Sequence, residues 1–321
     1  MKRWIIGIGL AALVVVVGLR VGLSFLINGQ IQSIAEAQGS DPEVTFDRVE
    51  STERPTWTRR QFHGVTVRRS SGLQANAELI DVTIPALDVR RAEWRADGMV
   101  RVEEPGQWIA TSQDIEGETL VNLAGRLQEA TMQAPTLRLD GPTADQGITV
   151  SEIAANFRWD SETRLVVSAE TISAGDFELQ LEDFSLGLAA LPALPQTQSE
   201  SAMAAWRDGG GTANIEVLSM RMGPSTGRIQ GQFVLDENLQ PSGEGTVQVT
   251  APEAFLDYLI ERGFIGQDQA VIVKLTVSVM ASADNDGDPN ALTMPLRLEQ
   301  NELFVGEFMI ARLNPLVWAP E

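Results

Sequence analysis

The chain of 321 residues has no cysteine, one histidine, one tyrosine and two lysines. Without cysteine there is no disulfide, no thiolate nucleophile and no thiolate metal site. An oxidising compartment stays open, because a large domain needs no such staples. Any histidine-dependent triad would have to run through His63. Its surroundings, Arg59-Arg60-Gln61-Phe62-His63-Gly64, hold no nucleophile motif, so a loop or strand-edge role is expected. HExxH and a phosphate-binding glycine loop are missing, and no nucleophile elbow is expected. No catalytic residue is assigned, the expected function is non-enzymatic, and no cofactor is expected. A periplasmic hydrolase built on Asp or Glu is the remote alternative, although nothing in the sequence selects a carboxylate pair.

What is abundant is negative charge. The net charge is −20 and 43% of residues are hydrophobic, a fraction that fits a folded chain. The charge is uneven. Residues 45–110 hold ten Arg and ten acids, whereas residues 111–321 hold 11 basic and 31 acidic groups. The distal part repels nucleic acid, so no nucleic-acid partner is expected. Proximal arginine pairs (Arg59-Arg60, Arg68-Arg69, Arg90-Arg91) would suit lipid phosphates, but a salt-paired strand surface is the favoured reading.

The one long apolar stretch is at the N-terminus. Lys2 and Arg3 precede Trp4 to Leu19, and Val21 to Ile27 follow a lone Arg20. A bilayer core of about 30 Å needs roughly 20 apolar residues. Residues 1–27 are expected to be a transmembrane signal anchor, with Arg20 snorkelling and Lys2 and Arg3 left in the cytoplasm. A cleaved signal peptide ending near Ala35-Glu36-Ala37 is the competing reading, but the apolar run exceeds a signal core of about 7–15 residues. The expected location is a bacterial inner membrane, single-pass, with the C-terminal domain in the periplasm.

Beyond a helical neck or linker at 28–44, the dominant signal is period two. Ala270 to Ala281 and Leu292 to Glu299 alternate most clearly. Ile229, Phe233 and Leu235, then Val247 and Val249, do the same. The apolar positions slip by one between Leu181 and Phe184 and between Val217 and Leu218, the mark of a β-bulge. Turns are expected at residues 160–162, 236–238, 241–243 and 300–302. Helices are expected at 252–262, opened by Pro252, and near 197–207. The domains expected are a proximal β region at 45–190, a linker with a short helix at 191–212 and a distal β region at 213–321. The fold class expected is mainly β: a long, curved, mostly antiparallel sheet, either a groove or an open sandwich, with one or two short helices.

Candidate groove-lining residues are Val271, Val273, Leu275, Val277, Leu292, Met294, Leu296 and Leu298, with core packing an equal reading for each. Asp284, Asp286 and Asp288 are a weak calcium candidate. The sixth and twelfth loop positions, where an EF-hand needs Gly and Glu, are Pro289 and Pro295, so no metal is assigned.

The distal half resembles an uncharacterised alphaproteobacterial family, domain of unknown function 2125. The resemblance rests on Gly227 to Asp236, Gly243 to Val249, Leu259 to Gly263, Val271 to Val279, Asn301 to Gly306 and Leu313 to Leu316. The layout is more distantly similar to AsmA-type envelope proteins, which join an inner-membrane helix to a lipid-lined β-groove. That resemblance supports the groove. The anchor, together with an apolar sheet face that two helices cannot cover, leads to lipid binding or envelope homeostasis as the expected function, with the inner membrane, phospholipid and envelope proteins as partners. Neither resemblance supplies catalytic residues. A closed sandwich serving as a scaffold or protein-binding module is the alternative.

Overall fold

The structure is a computed structural model that describes residues 43–68, 72–103, 109–122, 127–141, 147–174, 179–195, 199–261, 291–316 and 318. The expected anchor and nearly all of the neck lie outside the described residues. No helix among the described residues is long and apolar enough to cross a membrane.

The described residues form sixteen strands and two helices. The strands are β1 (Glu43–Thr45), β2 (Arg48–Arg54), β3 (Trp57–Arg68), β4 (Gln74–Pro85), β5 (Arg91–Glu103), β6 (Ile109–Val121), β7 (Leu127–Asp140) and β8 (Gly147–Trp159). They continue with β9 (Thr163–Ala174), β10 (Leu179–Leu191), β11 (Thr212–Met222), β12 (Ser225–Leu235), β13 (Pro241–Thr250), β14 (Ala291–Glu299), β15 (Glu302–Val305) and β16 (Phe308–Arg312). Helix α1 is Glu200–Asp208 and α2 is Pro252–Glu261. The strands lie in one sheet in sequence order, with β2 beside β3 as an extension of β1. Two compact units divide the chain. One takes in the described residues up to Trp159 together with Val167–Leu179; the other takes in Asp160–Val166 and the described residues from Gln180 on.

Within the first unit, the ladder sorts side chains into two faces. Val67, Ala75, Val102, Ala110, Leu139 and Ile148 stand opposite one another from β3 to β8. One residue along, Thr66, Asn76, Arg101, Thr111, Arg138 and Thr149 form the neighbouring row. Alternate side chains point to opposite faces of a strand, so one face is apolar and the other polar. Ala75, Ala110, Leu139, Ile148 and Val150 are buried.

This sorting survives a slip of one residue in nearly every strand. Apolar positions pass from Val65 to Phe62 on β3, from Ala77 to Ile80 on β4, and from Ala110 to Ile115 on β6. They pass from Leu137 to Ala134 on β7 and from Val150 to Ile153 on β8. Left-handed residues sit at the slip in four strands: Gly64 (φ +60°), Gly98 (+81°), Asp114 (+52°) and Glu152 (+49°). The register of β6 to β8 brings Asp114 and Glu152 to either side of Pro135, which has no N–H to offer a ladder. One extra or twisted residue per strand thus keeps the same face apolar across a line of bulges. The slip expected in β10 occurs, with Asp183 left-handed and a register shift between Glu182 and Ser185. So does the slip in β11, between Ile215 and Leu218.

In the second unit, Leu186, Leu218, Ile229, Val247 and Met294 form one apolar row across β10 to β14. Pro241-Ser242-Gly243, expected as a turn, belongs instead to β13. Asp236 closes the loop earlier, its carboxylate accepting from the backbone N–H groups of Asn238 and Gln240 at 2.8 Å each. Strand β10 runs on to Leu191, where the expected linker begins. The turn at Gln300 and Asn301 is as expected, with both residues left-handed as a two-residue hairpin requires.

The helices sit at opposite ends of these strands. Ser199 caps α1, accepting from the Ala202 N–H, and Gly209 ends it. Met203 and Trp206 pack with Ala190 and Leu239, and Leu194, Ala213, Leu235 and Trp318 close round them. The Trp206 indole donates to the Pro192 carbonyl at 2.8 Å. At the other end, Ser225 donates to the Ala251 carbonyl just before α2, and the Tyr258 ring covers Gly223.

Replacing Trp206 with Ala empties the α1 cluster and leaves the Pro192 carbonyl unpartnered. We expect a loss of about 3–5 kcal/mol, read by urea unfolding. Gly117 faces a tighter limit, because a Cβ there would lie 2.1 Å from the Thr131 carbonyl and 2.5 Å from the Trp94 ring. Gly117→Val is expected to lower the melting temperature clearly, whereas Gly147→Ala, whose nearest neighbour is 3.6 Å away, leaves it almost unchanged.

Candidate functional site

A sheet face lined by apolar side chains is a binding surface only where it is not already filled. Of the expected lining residues, Leu292, Leu296 and Leu298 on β14 are buried, and Met294 is half-buried. They share one face, opposite Val249, Gly245, Gly243 and Val247 in that order. Val271, Val273, Leu275 and Val277 lie outside the described residues, as do Asp284, Asp286 and Asp288.

The more accessible part of that face lies further in. Leu218, Ile229, Val247 and Met294 are all half-buried, between the ends that α1 and α2 occupy. Ile229 and Val247 alternate visibly in the sequence, but sequence alone does not show that the helices go to the strand ends. In the first unit, Ile80, Trp94, Ile115 and Met132 are half-buried on the apolar face beyond the line of bulges. Trp94 lies against the backbone at Gly117, where a Cβ would come within 2.5 Å of its ring.

The opposite, polar face is neutralised locally. Arg91 meets Glu118 at 2.6 Å, Arg95 meets Asp97 at 2.5 Å, Arg101 meets Glu103 at 2.9 Å and Arg138 meets Asp140 at 2.7 Å. Exposed pairs of this kind contribute roughly 0–1 kcal/mol each. Arg59 grips Asp81 with two nitrogens while Gln61 donates to the same carboxylate. The bonds to Asp81 hold the Arg59 guanidinium above its ordinary pKa. Asp81 is buried even though it stands on the polar face, because these partners cover it.

The same face carries a depression of about 440 Å³ at the bulges, lined by residues that include Asp47, Glu78, Met99 and Arg101. Asp47 and Glu78 fold over Gly64 and Gly98, where a Cβ would strike their carboxylates. No group of three His, Cys, Asp or Glu able to hold a metal occurs among the described residues.

His63 lies across from Arg48, 3.4 Å from its guanidinium and 3.8 Å from the Glu50 carboxylate. A G-x-S-x-G pattern occurs at Gly223-Pro224-Ser225-Thr226-Gly227. A nucleophile elbow needs a strand, a sharp turn and a helix, with the serine exposed. Here the pattern spans the β11–β12 hairpin, and Ser225 is buried with its hydroxyl donated to Ala251. The motif is structural.

No curated protein and no solved structure matches the chain. A family model does match over residues 43–314, which extends the likeness from the distal strands to the proximal ones. With most of its length covered, the chain belongs to the family described as "uncharacterized protein conserved in bacteria", domain of unknown function 2125.

Proposed function

We propose that the protein is a membrane-anchored periplasmic β-groove protein, non-enzymatic, whose apolar sheet face binds lipid and supports envelope homeostasis. The observation that carries this reading is the half-buried row Leu218, Ile229, Val247 and Met294, left between two helices that occupy the strand ends. Burying apolar area yields about 25 cal/mol per Å², so an acyl chain laid along such a row gains with every methylene it covers. The apolar N-terminal 27 residues support the membrane location, and the likeness of layout to AsmA-type proteins points the same way. Native mass spectrometry of the detergent-extracted protein is expected to show bound phospholipid, and a clean apo mass across conditions would overturn the reading. Val247→Asp, on the apolar face, is expected to lose that lipid. Gln248→Asp, on the other face of the same strand, keeps it.

A scaffold or protein-binding role is the second reading, and one observation favours it. Leu87 is 101% exposed and Val89 is 73% exposed at the tip of the β4–β5 hairpin. A partner docking there would bury both side chains. Photo-crosslinking from position 87 followed by pull-down should then trap one stoichiometric protein partner. Diffuse crosslinks would remove this reading.

A further inference from the structure

Arg59 and Arg60 are neighbours in sequence with opposite surroundings. Arg59 points to the polar face and is locked to Asp81. Arg60 stands in the next register, opposite Ser51 on β2 and Val82 on β4. Its row continues through Trp94, Gly117, Met132 and Ala155 on β5 to β8. On β3 to β8 it is the one charged side chain in the described apolar-face rows, which otherwise hold aliphatic, aromatic, glycine, serine or threonine residues. Arg60 is exposed and has no ion pair or hydrogen bond from its side chain among the described residues. The nearest acid on that face, Glu53 on the edge strand, makes no salt bridge with it.

A cation at the head of an apolar row has the chemistry of an amphiphile site. The guanidinium is a planar fork that meets carboxylate or phosphate through two bonds, and it is more weakly hydrated than an ammonium. Neighbouring strands lie about 4.8 Å apart, so the row from β3 to β8 runs for about 24 Å, room for a long acyl chain. Val82, opposite the charge, is already buried, while Trp94 and Met132 further along the row are half-buried.

We propose that Arg60 binds the anionic headgroup of an acyl lipid whose chain lies across β4 to β8 over Trp94 and Met132. This rests on the lipid-groove reading and adds the charge of the ligand and the direction in which it lies. The competing explanation is that an inward-pointing charge near a sheet edge discourages strand addition. The two differ in what they demand of the ligand.

The test uses the full chain held in amphipol and two fluorescent probes that differ only in charge: cis-parinaric acid and its methyl ester. The wild type is expected to bind the acid about tenfold more tightly, the worth of one charge-assisted hydrogen bond. Arg60→Gln should weaken the acid to the level of the ester and leave ester binding unchanged, which also shows that the variant is folded. If Arg60→Gln keeps the preference for the acid, or if the wild type has none, the assignment of Arg60 is overturned while the groove stands. If the wild type binds neither probe, the groove reading falls and the Arg60 site falls with it.

Discussion

One constraint governs this molecule: every strand must keep its apolar side chains on the same face as its neighbours'. In a strand the period is two, so a slip of one residue would send the whole apolar set to the polar face. Strands of about a dozen residues tend to twist and coil, and the pleat does not run true from end to end. The chain meets this with a transverse line of irregularities at Gly64, Gly98, Asp114, Pro135 and Glu152. Left-handed backbone at non-glycine residues such as Asp114 and Glu152 is disfavoured. It persists because the rows on both sides of the line hold their register.

The same constraint explains how polar groups are distributed. Arginine supplies nearly all of the positive charge, and on the polar face most of it meets an acid along or across strands, although Arg54, Arg68 and Arg228 do not among the described residues. Asp81 shows how far this goes, since a carboxylate is buried only because Arg59 and Gln61 occupy its oxygens. Arg60 breaks the pattern by standing on the other face. That contrast, between adjacent residues of one strand, is a sharper pointer to a ligand than any exposed hydrophobic side chain.

The helices serve the strand ends. Trp206 fills the space beside Ala190 and Leu239, and the tail returns to the same turn through Gln240, which donates to the Leu316 carbonyl and accepts from the Leu316 N–H. Tyr258 of α2 rests on Gly223 at the opposite turn. The middle of β11 to β13 is left half-buried in consequence. Gly231, Gly243 and Gly245 also lie on this face, where side chains would collide with neighbouring backbone.

Alternation in the sequence was enough to read the mainly β class, the mostly antiparallel pairing, both helices and the slips in β10 and β11, because period two and helix caps are local signals. The turn at Pro241 to Gly243 was misread because turn-forming residues also fit a strand where backbones crowd. The slips in β3 to β8 were not legible: a left-handed Asp or Glu looks like any exposed acid until its partners across the ladder are known. For the site, Leu292, Leu296 and Leu298 were legible as an apolar face but not as buried, since burial depends on what packs against them. Arg59 and Arg60 are the same residue type in adjacent positions. Only the register of β2, β3 and β4 separates a guanidinium locked to Asp81 from one left beside Val82.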